Sequence, residues 1–215
     1  LYYCAENNGL LGTRDDERRP NLAPNFLCAL AASLGVTQSG PYGLPDGVTP
    51  EDIFHYAYGL FHSPQYRSRY AEFLNIDYPR LPLPRRIDLF QTLARCGHEL
   101  TSLHVMESSR LGSTTTALVG CGDFQVEKVS YSGETVWIDK AKTRGFKGVP
   151  EEVWNFHIGG HQVCEKWLKD RQAKGGKSPR PGRVLTDGDI EHYQKIVVAL
   201  SETIRIMAEI DEVIE

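Results

Sequence analysis

The sequence lacks the marks of several large protein classes. Its five cysteines, Cys4, Cys28, Cys96, Cys121 and Cys164, are scattered over 215 residues, and no two form a C-x-x-C pair. Neither a zinc ribbon nor a disulfide framework is indicated, and reduced thiols in a cytoplasm are expected. No apolar run approaches the roughly 18 residues of a membrane-spanning helix, so no membrane partner is expected. There is no G-x-x-x-x-G-K-[ST] phosphate loop. The opening LYYCAENNGL has neither methionine nor a basic-then-apolar signal pattern, and it reads as the start of a piece of something longer. Residues 1–48 are accordingly expected to be an irregular segment continuing from an upstream part of a parent chain, with the structured region at 49–215.

What is present is ordinary in bulk and uneven in detail. The chain is 40% hydrophobic and 24% charged, with a net charge of -4, which argues against nucleic-acid binding over the whole surface. From Lys140 to Arg183, however, eleven bases stand against four acids, a net +7. From Val184 to Glu215 eight acids stand against two bases, a net -6. A basic segment followed by an acidic tail makes local fields matter more than the sum.

Periodicity and end signals place the elements. FLCALAASLG fits one short helix ending at Gly35. In TPEDIFHYAYGLFHSP, Thr49 caps, Pro50 suits the first turn, and Glu51 and Asp52 favour the positive end of the helix dipole. Ile53, Phe54, Ala57, Leu60 and Phe61 form its apolar stripe. A second helix, PQYRSRYAEFL, turns Tyr66, Tyr70, Phe73 and Leu74 inward. YPRLPLP must be extended, because each proline pushes its predecessor out of the helical region. A third helix spans about Asp88 to Met106. ESSRLGSTTTALVGCGD reads as a polar connector, and FQVEKVSYSGETVWIDK as a β-hairpin turning at Ser-Gly. Pro150 begins a short helix broken at Gly159-Gly160, HQVCEKWLKDR is another, and QAKGGKSPRPG is a basic loop. The last helix starts at a Thr186 cap and carries a seam of Ile190, Tyr193, Val197, Leu200, Ile204 and Met207, expected to pack within the domain. The fold class is α+β: mainly helical, with a β-hairpin or small antiparallel sheet and a long C-terminal helix.

The passage GFKGVPEEVWNFHIGGHQVCEKWLKDR holds the most tempting chemistry. His157, His161 and Cys164 have helical ligand spacing, but Gly159 and Gly160 interrupt any continuous helix and no fourth ligand is evident, so no metal is expected. Gly159 and Gly160 fit a sharp turn, with Trp154, Phe156 and Trp167 as packing anchors. Cys121 in GCGD has no marked histidine partner, and KGGKS lacks the first glycine and preceding strand of a phosphate loop, so no catalytic residue is assigned. The basic segment either solvates a helix and a loop or neutralises phosphates. In the second reading Lys140, Lys142, Arg144 and Lys147 decorate the end of a hairpin, and Lys166, Lys169 and Arg171 a short helix.

Three blocks in order, TPEDIFHYAYGLFHSPQYRSRYAEFL, FKGVPEEVWNFHIGGHQVCEKWLKDR and DIEHYQKIVVALSETIRIMAEID, make the chain from about Pro20 to Glu215 resemble the C-terminal specificity region of Type ISP restriction–modification enzymes. One departure is His161, where family members commonly carry tyrosine after I-G-G. The resemblance implies that this region recognises double-stranded DNA. The parent chain's helicase-like ATPase and adenine-N6 methyltransferase domains would then do the chemistry with ATP, Mg and S-adenosylmethionine. The sequence agrees by omission, having no N-P-P-Y-type methyltransferase motif. A cytoplasmic bacterial protein follows. The alternative is a coupling module that docks on the methyltransferase domain through the acidic last helix and never touches DNA.

Overall fold

The structure, a computed structural model, describes residues 1–3, 19–175 and 179–214. Cys4, the charged run at 14–18 and Lys177 of the basic loop lie outside the described residues. The fold is α+β, and the chain forms two compact units: Leu1–Thr101 with Ile206–Glu215, and Ser102–Arg205.

Unit 1 is helical. Strands β1 (Tyr2–Tyr3) and β2 (Arg19–Pro20) pair antiparallel, and α1 spans Pro24–Leu34, so the first 48 residues are not irregular throughout. Helix α1 ends where expected, at Gly35 with φ 69°, a left-handed cap that glycine adopts without a Cβ clash. Helix α2 (Pro50–His62) opens on a capping box. The Asp52 N–H donates to Thr49 Oγ1 at 3.1 Å, and the Thr49 N–H donates to Asp52 Oδ2 at 2.9 Å. The expected second helix is two, α3 (Pro64–Arg69) and α4 (Ala71–Leu74), divided at Tyr70, whose φ and ψ of -108° and 16° are not helical.

Two inward placements are corrected. Phe54 is 42% and Phe73 71% exposed, while Ile53, Tyr56, Leu60 and Tyr66 are buried. The apolar stripe is wider than the face that packs, so its edge residues stay in solvent. Helix α5 (Ile87–His104) meets α2 through two glycines. A Cβ on Gly97 would lie 1.8 Å from the His55 carbonyl oxygen, and one on Gly59 2.8 Å from that of Leu93. Backbone touches backbone at this crossing, a packing that no apolar pattern announces.

Unit 2 is built on an antiparallel sheet. The expected hairpin is β4 (Ser130–Ser132) and β5 (Thr135–Trp137), turning at Gly133 and Glu134, both at positive φ. Strands β3 (Ala117–Val119) and β6 (Gly145–Lys147) extend it to four in the order β3-β6-β5-β4. The stretch read as a polar connector therefore contains a strand. Its three residues are paired by β6 rather than by any alternation of their own.

Helix α6 (Glu151–Trp154) is followed not directly by a turn but by a small hairpin, β7 (His157–Ile158) and β8 (His161–Gln162). Gly159 and Gly160, at φ 57° and 79°, form its two-residue turn. Helix α7 (Val163–Lys169) and helix α8 (Asp187–Ile214) complete the fold. Thr186 and Asp189 repeat the capping box at the start of α8. Val136, Phe146, Val153, Trp154, Leu168 and Tyr193 belong to one core cluster. In the α8 seam Tyr193, Val197 and Leu200 are buried, but Ile196, Thr203, Ile206 and Ile210 continue the buried line in place of Ile204 and Met207. A straight helix of 3.6 residues per turn drifts away from a strict heptad.

Candidate nucleic-acid interface

The tryptophans of the signature pack in or against the core of unit 2. Trp154 is only 8% exposed and stacks on Tyr131, with ring centroids 5.1 Å apart and planes 7° apart. The Tyr131 hydroxyl donates to the Val149 carbonyl at 2.9 Å, fixing the ring that Trp154 covers. Trp167 packs on Tyr193 at 5.4 Å, and Phe156 is half-buried against the same core. Cys164 is fully buried, and burial pushes its thiol up to about 12, unsuited to a thiolate ligand. His157 and His161 are exposed, and one His157 ring nitrogen meets the Asn155 carbonyl at 2.5 Å. The three side chains do not converge. Among the described residues no group of three or more His, Cys, Asp or Glu side chains is arranged to hold a metal ion. No helix among them is long and apolar enough to cross a membrane.

The basic residues separate into those tied into the fold and those that reach outward. Arg144 is tied in: its side chain is only 20% exposed, it pairs with Glu127 at 3.2 Å and Asp139 at 3.9 Å, and it donates to the Asp123 carbonyl. Asp139 organises the loop between β5 and β6. Its carboxylate accepts from the Thr143 N–H at 3.0 Å, the Thr143 hydroxyl at 2.7 Å and the Arg144 N–H at 3.0 Å. Burial alone would raise the Asp139 carboxyl. The hydrogen bonds from Thr143 and Arg144 and the Arg144 charge outweigh it, so the group stays below its ordinary value.

Arg171 lies with its guanidinium 3.5 Å from the centre of the Trp167 ring and pairs with Asp189 at 3.7 Å. Lys166 and Lys169 make i,i+4 pairs with Asp170 and Glu165 along α7. Lys140 and Lys147 are exposed and meet no carboxylate among the described residues. Lys147 stands within β6 rather than at the hairpin end.

The sheet register gathers the outward-reaching groups. Tyr131, Val136, Phe146 and Leu118 share one face, turned to the core through Val136 and Phe146. Alternation puts Ser132, Thr135, Trp137 and Lys147 on the other, where Thr135 is itself buried and donates to the Gly133 carbonyl. There Ser132 Oγ accepts from the Trp137 indole N–H at 3.0 Å and from Lys142 Nζ at 3.3 Å. Its own hydroxyl proton is left to point elsewhere. Lys142 holds a left-handed φ of 56° in the loop above. Trp137 and Ser132 are absent from the candidates read off the sequence. The signal was there, in a third tryptophan alternating with Val136 and Ile138 across the strand.

Fold and site together define an α+β module with an outward sheet face edged by lysines. The chain belongs to the Type ISP C-terminal specificity domain family, which it matches over residues 1–209. Its fold is similar to parts of much larger solved chains. LlaBIII, described as an ATP-dependent Type ISP restriction–modification enzyme bound to DNA, matches all of this chain at 20% identity and a TM-score of 0.66 over 13% of its own length. A nuclease-deletion mutant of the Type ISP enzyme LlaGI, in complex with a DNA substrate mimic, matches 78% of this chain at 22% identity and a TM-score of 0.57 over 14% of its own. DrdV, solved in a DNA complex, matches 76% at 22% identity and a TM-score of 0.58 over 18% of its own. The chain thus spans less than a fifth of each. No curated protein sequence matches it significantly.

Proposed function

We propose that this chain selects the DNA target of a Type ISP restriction–modification enzyme. Family membership over residues 1–209 carries the reading, because a specificity domain is the part that chooses a site. The parent would contribute adenine-N6 methylation from S-adenosylmethionine and ATP- and Mg-dependent restriction through other domains. The outer face of the β3-β6-β5-β4 sheet is the surface we assign to DNA. Lys140, Lys142 and Lys147 neutralise phosphates there, and the Ser132 hydroxyl, anchored by Trp137, donates to phosphate or base. Arg144, paired with Glu127 and Asp139, and Arg171, paired with Asp189 over the Trp167 ring, are assigned to the fold rather than to DNA.

Exchanging this region between two family members of different specificity tests the role. The methylated sequence is expected to follow the exchanged region; if it stays with the rest of the chain, the region is a coupling module. Within the intact enzyme, Lys142→Ala with Lys147→Ala should lower affinity and flatten the salt dependence of binding, by about 0.9 in slope for each phosphate no longer neutralised.

A further inference from the structure

Unit 1 contains a second cationic surface, made by arginines rather than lysines. The extended stretch Pro79–Pro84 belongs to no sheet, yet three side chains fasten alternate carbonyls along it. The Tyr66 hydroxyl donates to the Arg80 carbonyl at 2.7 Å, the Tyr56 hydroxyl to that of Pro82 at 2.7 Å, and Ser33 Oγ to that of Pro84 at 2.8 Å. Prolines fix φ, so the strap is rigid as well as fastened.

Beside it run two adjoining depressions of about 370 and 810 Å³ that share Tyr66, Tyr70 and Pro82. Arg80 lines the first, and Arg69 and Arg85 the second. All three arginines are exposed, and none meets a carboxylate among the described residues. Arg86, next in the chain, differs: it is bonded to Asp88. Asp77, which lines the first depression, and Glu72 are the only acids between Pro64 and Arg86, against four arginines. Phe73 and Tyr78, 71% and 90% exposed, stand in the same stretch.

We infer that Arg69, Arg80 and Arg85 grip the sugar–phosphate backbone of DNA, a sequence-independent contact additional to the sheet face; the inference rests on the proposed DNA-recognition function. A guanidinium with no carboxylate of its own exchanges only water and counterions for a phosphate, and its planar fork suits two phosphate oxygens at once. The fastened strap lowers the ordering cost of that exchange, since its backbone is already held. The exposed rings of Phe73 and Tyr78 supply apolar contact beside the charges. A protein segment of the parent chain would use the same rings but has no need of three arginines that meet no carboxylate among the described residues, so the charge favours DNA.

The experiment measures binding of the intact parent enzyme to target and non-target duplexes over a range of salt concentrations. Arg69→Ala, Arg80→Ala and Arg85→Ala together should weaken both duplexes by the same factor and lower the salt slope by about 0.9 for each phosphate released. The target-to-non-target ratio should not change. The matching Arg→Lys triple variant should keep most of the slope, which separates lost charge from lost fold. Should the alanine variant not fold, Arg80→Glu with Arg85→Glu carries the same expectation. Wild-type affinity and slope in the alanine variant would overturn the inference and give the surface to a protein segment. A collapsed target-to-non-target ratio would also overturn it, because these residues would then read bases. Loss on Lys142→Ala with Lys147→Ala alone leaves the recognition function standing without this arginine grip, whereas an exchanged region that does not redirect methylation removes the function itself.

Discussion

The two units place their positive charge differently, although each holds both paired and outward-reaching bases. In unit 2 the sequence is dense in bases, yet Arg144, Arg171, Arg183, Lys166 and Lys169 each pair with a carboxylate of the same unit. In unit 1 the bases are fewer and Arg69, Arg80 and Arg85 pair with none among the described residues. Charge counted along a sequence and charge available to a phosphate are different quantities. An ion pair already formed must be broken, or leave its carboxylate facing the phosphate, before it helps bind DNA. The units also differ in what holds them: unit 2 by large aromatic side chains around a sheet, unit 1 by a helix crossing where Gly59 and Gly97 bring two backbones together beside the packed rings of Tyr56 and Phe90.

The strongest test of that second contrast is Trp154→Ala in unit 2. Removing a nearly buried indole stacked on Tyr131 should cost on the order of 3–5 kcal/mol, read by denaturant unfolding. Any loss of DNA binding should track the loss of fold. A variant that unfolds like wild type while losing affinity would make Trp154 a reader of DNA and reverse the assignment of architecture to this side chain.

In unit 1 the corresponding weak point is the smallest residue present. Gly97→Ala introduces a Cβ at 1.8 Å from the His55 carbonyl oxygen, which only movement of α2 against α5 can relieve. Overpacking of this kind should cost about 2–3 kcal/mol in the same measurement. A neutral Gly97→Ala would mean that the helices separate freely and that unit 1 is not held as its crossing suggests.

These weak points also mark what could be read from sequence. The caps at Thr49 and Thr186, the hairpin at Gly133 and the turn at Gly159-Gly160 were legible because each rests on neighbours within a few residues; the burial of Trp154 was legible from its residue type, while its partner Tyr131 was not. Strands β3 and β6 were not, since three-residue strands become strands only when a distant partner supplies the ladder. The same holds for the charges. Arg144 looks like a DNA ligand beside Lys140 and Lys142, and only the fold brings Glu127 and Asp123 to it. Trp137 was overlooked because its meaning lies in the register, which sets it opposite Gly145 and beside Ser132.

Asp139 sharpens the contrast between internal and available charge. Its buried carboxylate holds the β5–β6 loop that carries Lys140 and Lys142, so Asp139→Ala should cost about 2 kcal/mol, the scale of losing hydrogen bonds to a charged group. The folded carboxyl lies below its ordinary value of 3.8, so its stabilisation is complete above that value and is lost as pH falls through the lower folded one. Wild type should therefore lose its advantage over Asp139→Asn at acid pH, where the two unfolding curves converge. A constant gap down to the acid limit would show that Asp139 acts through shape rather than charge.

The smallest expected effect is the most direct check on the opening comparison. Lys166 and Lys169 carry the same side chain as Lys142 and Lys147, and sequence alone ranks them together. On α7, however, each faces an acid one turn away, Lys166 with Asp170 at 2.5 Å and Lys169 with Glu165 at 2.9 Å. Exposed pairs of this spacing stabilise a helix by only about 0.3–0.5 kcal/mol. Lys166→Ala with Lys169→Ala should thus shift unfolding by under about 1 kcal/mol. It frees two carboxylates as it removes two cations, and the salt slope of DNA binding should stay within error of wild type if α7 lies off the DNA. The same double change at Lys142 and Lys147 should lower that slope. Equal effects from the two double variants would show that pairing within the fold does not withdraw a lysine from DNA, and unit 2 would then bind through its whole basic segment rather than its sheet face.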